Sequence, residues 1–229
     1  MYQNHLSLLA LLVGTAPLGI LGLTTPPSVD RQRGHVRLAA FQGFDLGSLF
    51  GSVGAFTKVD QATAQERELV KGELLELLQN GKKVERSVVE EKIAALAPLS
   101  PIQETAASPL LQKEWNLLWT TEKEINFFLD FGLSNAVSQT VNGKELGNAI
   151  AFVRGGGLYV EGTLSIPNAN GQRTEFKFDT ATLDLTKKWG SYNFPPVGEG
   201  WFDTVYLDDS LRIDTNSRDD ILICTPSAD

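Results

Sequence analysis

The residue types that could do chemistry in this chain concentrate near its C-terminal end. Six aspartates lie there in a short stretch: Asp203, Asp208, Asp209, Asp214, Asp219 and Asp220. Two positioned carboxyl groups suffice for glycoside hydrolysis, so the stretch raises a hydrolase hypothesis that uses Asp208 and Asp209. However, adjacent strand residues point to opposite faces, and Asp is common at turns because its side chain bonds the local backbone. Solvated turn acids are therefore the preferred interpretation, and a carboxylate-dependent hydrolase is the alternative.

Other catalytic designs lack the residues that they require. The histidines are His5 and His35, both before position 40, and the single cysteine is Cys224. Beyond residue 40 there is thus no imidazole for a Ser-His-Asp triad or a His-ligated zinc ion. One thiol forms neither an intrachain disulfide nor a thiolate metal cluster. The sequence predicts a protein without catalytic residues, metal or cofactor.

Charge and aromatic content point towards apolar partners. The formal net charge of −8 and the isoelectric point near 4.9 argue against nucleic acid and predict long-range repulsion from anionic lipid headgroups. Any membrane affinity must then be apolar or local. Six aromatic residues are predicted to line a cavity for hydrophobic small molecules or lipids: Trp119, Phe128, Phe152, Tyr159, Phe178 and Tyr206. A solid aromatic core would show the same pattern, so both interpretations stay open.

From Trp115 onward the apolar pattern has a period of two, which is typical of strands. The candidate strands are "WNLLWTT", "AVSQTV", "LGNAIAFV", "LYVEGTLSI", "RTEFKFD", "ATLDL", "WFDTVYLD", "SLRID" and "DILICT". Turn signals at Asn142-Gly143, at 155–157 and at 168–171 separate several of them. Short strands with hairpin spacing indicate an antiparallel barrel or sandwich, and a barrel of about eight strands holds side chains or one small ligand. The interruption at 122–135 predicts a helical lid or long loop at one barrel mouth.

The residues before the strands divide into three predicted segments. Residues 1–40 combine an uncharged apolar start with an Arg-containing, acid-poor stretch, which predicts a targeting leader cut near Ala39 or Ala40; a secretory signal is the alternative. Residues 41–58 read as a flexible apolar arm. Residues 59–108 predict a helical pair and linker, with capping boxes at Thr63/Glu66 and Ser87/Glu90 and a stop at Pro98.

Three blocks of the sequence resemble the plastid lipid-associated protein family, also called fibrillins. They are "LLQKEWNLLWTT" at 110–121, "VSQTVNGKELGNAIAF" at 137–152 and "GEGWFDTVYLDDSLRID" at 198–214. The chain departs from the family pattern at Lys113 and Trp119, where Gly and Tyr are usual. The resemblance implies a mainly β fold, a lipocalin-like antiparallel β-barrel over residues 109–229 preceded by the short helical pair.

The same resemblance implies a function without catalysis. Members are expected in plastids, at plastoglobules or thylakoids, where they bind or organise acyl lipids, quinones or carotenoids, with peripheral membrane contact. The leader would then be a transit peptide, either in one part or as a signal plus a transit peptide. A coat protein of lipid droplets with a filled barrel is the structural alternative.

The resemblance also explains an isolated cation on the last apolar strands. In lipocalin-like barrels a Trp of the first strand and an Arg of a last strand can stack and close one end, and Trp115 and Arg212 occupy those places. A cation–aromatic contact is worth about 0.5–2 kcal/mol, so the pair is predicted to be structural.

Overall fold

The computed structural model describes residues 50–79, 84–167, 171–186, 189–195 and 198–228. The predicted leader and the predicted arm up to residue 49 lie outside the described residues. The chain divides into two compact units, with a boundary between Ala64 and Gln65. The contacts described below belong to the unit that contains Gln65–Asp229.

Among the described residues, two α-helices precede the sheet. Helix α1 spans Phe50–Gln79 and helix α2 spans Arg86–Leu96, followed by a 3-10 turn at Ala97–Leu99. The predicted start of α1 at Thr63 is wrong: the helix already includes residues 50–58 of the predicted arm, because extending a formed helix costs far less than nucleating one. Helix α2 begins after Glu85 without a side-chain cap, and its first turn is held by a 2.7 Å bond from Arg86 to Glu90.

The rest of the chain is mainly β. The strands are β1 (Glu114–Thr120), β2 (Ser134–Asn142), β3 (Glu145–Phe152), β4 (Gly157–Ser165), β5 (Arg173–Asp184), β6 (Ser191–Phe194), β7 (Glu199–Leu207), β8 (Arg212–Asn216) and β9 (Ile221–Pro226). Helix α3 (Lys123–Asp130) lies between β1 and β2, in the interruption for which the sequence predicts a helix or loop. The predicted strands "RTEFKFD" and "ATLDL" are one continuous strand, β5, and β6 was not predicted.

The strand pairings, all antiparallel, close into a ring. Neighbours follow the order β4-β3-β2-β1-β9-β8-β7-β5, and β5 returns to pair with β4. Strand β6 lies outside this ring, on the second half of β5. Because eight strands enclose only a narrow interior, side chains or one small ligand fill such a ring.

Glycines allow two of the predicted hairpin turns. Gly143 connects β2 to β3 with a φ of +60°. Between β3 and β4, Gly156 has a φ of +76°, and a Cβ there would lie 2.2 Å from the carbonyl oxygen of Asp184. This second turn thus brings its backbone against the end of β5.

Four of the described strand pairings contain a register shift, and two of these bulges decide which way Trp119 and Tyr206 face. The register shifts between Leu117 and Trp119 in β1, and between Thr204 and Tyr206 in β7. An extra residue in a strand reverses its alternation, so the side chains beyond each bulge exchange faces. Leu207 thereby points inward and Tyr206 outward.

Two apolar clusters result, one on each face of the sheet. The inner cluster comprises Leu111, Trp115, Val141, Leu146, Ile150, Leu158, Val160, Phe178, Ala181, Leu207 and Cys224. The helix-side cluster comprises Leu74, Val89, Ile93 and Leu96 of the helices with Tyr206, Leu211, Ile213, Ile221 and Ile223 of the sheet. Helices α1 and α2 therefore cover the outside of β7, β8 and β9. None of the helices among the described residues is long and apolar enough to cross a membrane.

Candidate functional site: the interior of the strand ring

One end of the ring interior is closed. The segment after α2 crosses this end, where Thr105 Oγ1 donates a 2.7 Å hydrogen bond to the carbonyl oxygen of Thr204. The indole Nε1 of Trp115 donates a 3.0 Å bond to the carbonyl oxygen of Leu111. Leu111 and Trp115 are at most 1% exposed, so both side chains lie away from solvent at this end.

The opposite end, where β1 runs into α3, is less covered. Phe128 of α3 stacks on Phe152 of β3 with ring centroids 6.0 Å apart, and both rings pack against the inner cluster while staying half-buried. Val137 and Leu183 also contact the inner cluster and are half-buried. Several apolar side chains at this end thus pack against the inner cluster and still keep part of their surface exposed.

A buried polar group lies within the apolar interior. The guanidinium of Arg212, with no exposed surface, is paired with the carboxylate of Asp214 at 2.5 Å. Its Nη2 also donates a 2.6 Å hydrogen bond to Gln139, and Thr204 Oγ1 donates a 2.7 Å bond to Asp214. Because both charges lie away from water, each depends on the other and on these neutral partners.

Aromatic rings surround the same guanidinium. Its Cζ lies 5.9 Å from the ring centroid of Trp115 and 5.0 Å from that of Phe202. The sequence singled out Trp115 and Arg212, and Asp214 only as one of six aspartates, but it did not predict that Asp214, Gln139 and Phe202 surround the guanidinium. Arg212 and Asp214 are two residues apart on one strand, and residues with this spacing share a face of the sheet. That spacing was the sequence signal that could have predicted their pairing.

The six predicted cavity residues do not lie together. Phe178 belongs to the inner cluster, and Phe128 and Phe152 pack against it. Tyr206 and Trp119 pack in the helix-side cluster, because each follows one of the two bulges. Tyr159 is 40% exposed, on the outer face of β4. The structure thus brings three of the six to the interior.

Tyr206 takes part in a network that holds α1 to the turn between β7 and β8. Its hydroxyl donates a 2.6 Å hydrogen bond to Asp208, which also accepts a 2.9 Å bond from Lys71 of α1. Burial would raise the pKa of Asp208, but the bonds from Tyr206, Lys71 and Ser210 outweigh it and lower that pKa to about 2. Burial and the bond to Asp208 raise the pKa of Tyr206.

The carboxylates of the hydrolase hypothesis occupy separate environments. Four of the six form ion pairs with different cations: Asp203 with Arg173, Asp208 with Lys71, Asp214 with Arg212, and Asp219 with Arg86. Asp220 accepts a hydrogen bond from Thr121. The side chain of Asp209 is exposed. A general acid at neutral pH needs a raised pKa, and that of Asp208 is lowered. Among the described residues, no group of three or more His, Cys, Asp or Glu side chains is arranged to hold a metal ion.

Comparison with known proteins gives the family. The sequence profile of the PAP_fibrillin family matches residues 67–197. A relative from Arabidopsis thaliana, "Probable plastid-lipid-associated protein 11, chloroplastic", is 39% identical over 120 residues. That match covers 49% of this chain and 55% of the relative, so the chain spans about half the length of this curated relative. No solved structure matches the chain. Because the profile covers more than half of the 229 residues, the chain belongs to the plastid lipid-associated protein (PAP)/fibrillin family.

Proposed function

We propose that this protein binds or organises lipids or isoprenoids in a plastid, at plastoglobules or thylakoids, without catalysing a reaction. The proposal rests on one observation: side chains cover the two ends of the ring interior to different extents. Leu111 and Trp115 are buried at the closed end, whereas the inward rings of Phe128 and Phe152 stay accessible at the α3 end. Pockets for small apolar molecules have this form, with hydrophobic and aromatic walls and few polar groups.

The plastid location rests on family membership and on the name of the relative, which is described as chloroplastic. The absence of catalysis rests on the residues of the interior. The ionic groups described there, Arg212 and Asp214, are bound to each other and to Gln139 and Thr204.

An accessible apolar patch favours direct contact with a lipid surface as well. The α3 patch, as we name it, consists of Phe127, Phe131, Leu133 and Val153. These four side chains are 39–70% exposed, and the rings of Phe127 and Phe131 lie 4.8 Å apart. Leu133 and Val153 are joined by a backbone hydrogen bond, which places these two residues side by side just after α3 and β3. A ligand could thus pass between a lipid phase and the interior without crossing water.

Blocking the interior tests the proposal. Val137 points inward on β2 and its neighbour Ala136 is exposed, so Val137→Trp adds an indole inside the ring and Ala136→Trp adds one outside. We expect native mass spectrometry and solvent extraction of the full chain to find lipid on the wild type and on Ala136→Trp, and little on Val137→Trp. A cooperative unfolding transition checks that each variant is folded, and Val137→Phe replaces Val137→Trp where overpacking unfolds it. Lipid-free wild-type protein that still floats with lipid droplets would favour the coat alternative.

A further inference from the structure

The guanidinium of Arg212 has donors that its surroundings do not use. Nε and Nη2 bond Asp214 and Gln139, but Nη1 has no hydrogen-bond partner among the described residues and no exposed surface. Thr174 Oγ1 also has no hydrogen-bond partner among the described residues, and Thr174 is only 1% exposed. A buried polar atom without a partner destabilises a fold, so such atoms in a native interior need an explanation.

Both residues with these unpartnered atoms are neighbours of Phe202. Thr174 and Phe202 are directly paired across β5 and β7, so their side chains project from the same face of the sheet. Phe202 in turn lies beneath the guanidinium of Arg212. Phe202 also stacks on Phe176, with ring centroids 6.3 Å apart, and Phe176 is half-buried. An aromatic column therefore connects the accessible interior with Arg212.

The charges around Nη1 are already balanced, because Asp214 neutralises the guanidinium at 2.5 Å. A carboxylate bound to Nη1 would add an unpaired negative charge to an apolar interior, which is strongly unfavourable. A carbonyl oxygen accepts the same hydrogen bond without adding charge.

We propose that Nη1 of Arg212 donates a hydrogen bond to the carbonyl oxygen at one end of an uncharged apolar ligand, such as an ester, a ketone or a quinone. The hydrocarbon part of the ligand lies along Phe202, Phe176 and Phe178. Because the Phe202 ring covers the guanidinium, this ring turns aside when the oxygen enters. The inference rests on the proposed function, since it assigns a ligand class to the same interior.

A spectroscopic measurement on the wild-type full chain tests the hydrogen bond without any variant. Methyl palmitate labelled with carbon-13 at the carbonyl is added to the protein, and the infrared band of that carbonyl is recorded. We expect the band at lower frequency than for the same ester in hexadecane, as hydrogen bonding weakens the C=O bond. A band at the hydrocarbon frequency would show that Nη1 faces only aromatic rings and would overturn the inference.

Affinities measured by displacement of Nile red assign the bond to Arg212. Arg212→Lys keeps a cation for Asp214 but lacks the planar fork of donors. We expect the ratio of the affinities for methyl palmitate and hexadecane to fall roughly tenfold in this variant. The control variant is Arg173→Lys. Arg173 also pairs with an aspartate, and its Cζ lies 3.7 Å from the ring centroid of Trp201, but this pair lies on the outer face of the sheet. That control should leave the ratio unchanged.

The remaining outcomes separate the two proposals. If neither ester nor hexadecane displaces Nile red from the wild type, the proposed interior binding fails. If both bind and Arg212→Lys leaves their ratio unchanged, interior binding stands and the role of Arg212 is refuted. If palmitate binds the wild type more tightly than its methyl ester at neutral pH, the preference for an uncharged ligand is wrong.

Discussion

At the scale of single residues, the buried pair of Arg212 and Asp214 is the least expected feature of the interior. Transferring two ions from water into an apolar core costs several kcal/mol for each, and their attraction recovers this only with good geometry and further hydrogen bonds. Gln139 and Thr204 supply such bonds. The pair therefore contributes little net stability as a whole, yet each member becomes strongly destabilising when the other is removed.

We expect Asp214→Asn to lower the free energy of unfolding by about 3–5 kcal/mol, because it leaves the charge of Arg212 buried and unpaired. The matched control is Asp203→Asn in β7. Asp203 also pairs with an arginine, Arg173, but there the side chains are 17% and 33% exposed, so the loss should not exceed about 1 kcal/mol. Urea denaturation of both variants measures the difference. Equal losses would mean that burial of the Arg212 pair has no energetic consequence.

At the scale of elements, the helices are joined to the sheet by polar as well as apolar contacts. Leu74 of α1 is fully buried in the helix-side cluster, and one turn earlier Lys71 bonds Asp208. Asp208 also accepts bonds from the backbone N–H groups of Ser210 and Leu211, which fixes the turn before β8. One carboxylate thus links the position of α1 to the shape of a β-turn.

This link should depend on pH in a defined direction. The pKa of Asp208 falls from 3.8 to about 2 on folding, so its stabilisation is complete above about pH 4 and is lost as the pH falls through 2. We expect Asp208→Asn to be about 2 kcal/mol less stable than the wild type at pH 7, and this gap to narrow between pH 4 and pH 2. Urea titrations over this range, with the exposed neighbour variant Asp209→Asn as control, measure the gap. A gap that stays constant down to pH 2 would show that the charge of Asp208 does not link α1 to the sheet.

Sequence patterns predicted most elements of this fold, and the failures have local causes. The period of two located the strands, and the Gly143 turn followed from its Asn-Gly pair. Trp119 and Tyr206 were misplaced because a bulge has no reliable signature in composition, although it reverses every side chain beyond it. The start of α1 was missed because the capping box at Thr63 is a local preference that a continuing helix overrides.

The candidate site was less predictable than the fold, since its members come from distant strands. The pairing of Trp115 with Arg212 was predicted only through resemblance to a family. Gln139 lies 73 residues from Arg212 in sequence, so no local spacing relates them. Whether a ring is filled or accessible depends on the three-dimensional covering of its ends. Here that covering comes from the segment after α2 at one end and from α3 at the other.

At the scale of the whole molecule, charge and apolar surface act in opposite directions on membrane binding. A net charge of −8 disfavours anionic headgroups at long range, so attraction to a lipid phase must come from apolar side chains. The α3 patch supplies them next to the accessible end of the ring. Neutral lipid droplets should consequently be bound at least as well as vesicles rich in anionic lipid.

Substitutions at exposed apolar positions test this contact. Phe131 is 70% exposed in the α3 patch, and Leu69 is 63% exposed on α1, outside it. Burying one Phe side chain in an apolar phase is worth about 1.5–3 kcal/mol, so Phe131→Asp should weaken binding to triolein droplets coated with phosphatidylcholine roughly tenfold or more. Leu69→Asp introduces the same charge and should leave droplet binding unchanged. Both variants should keep wild-type stability, because neither side chain is buried. Equal effects of the two substitutions in a flotation assay would mean that added charge, and not the α3 patch, controls the contact.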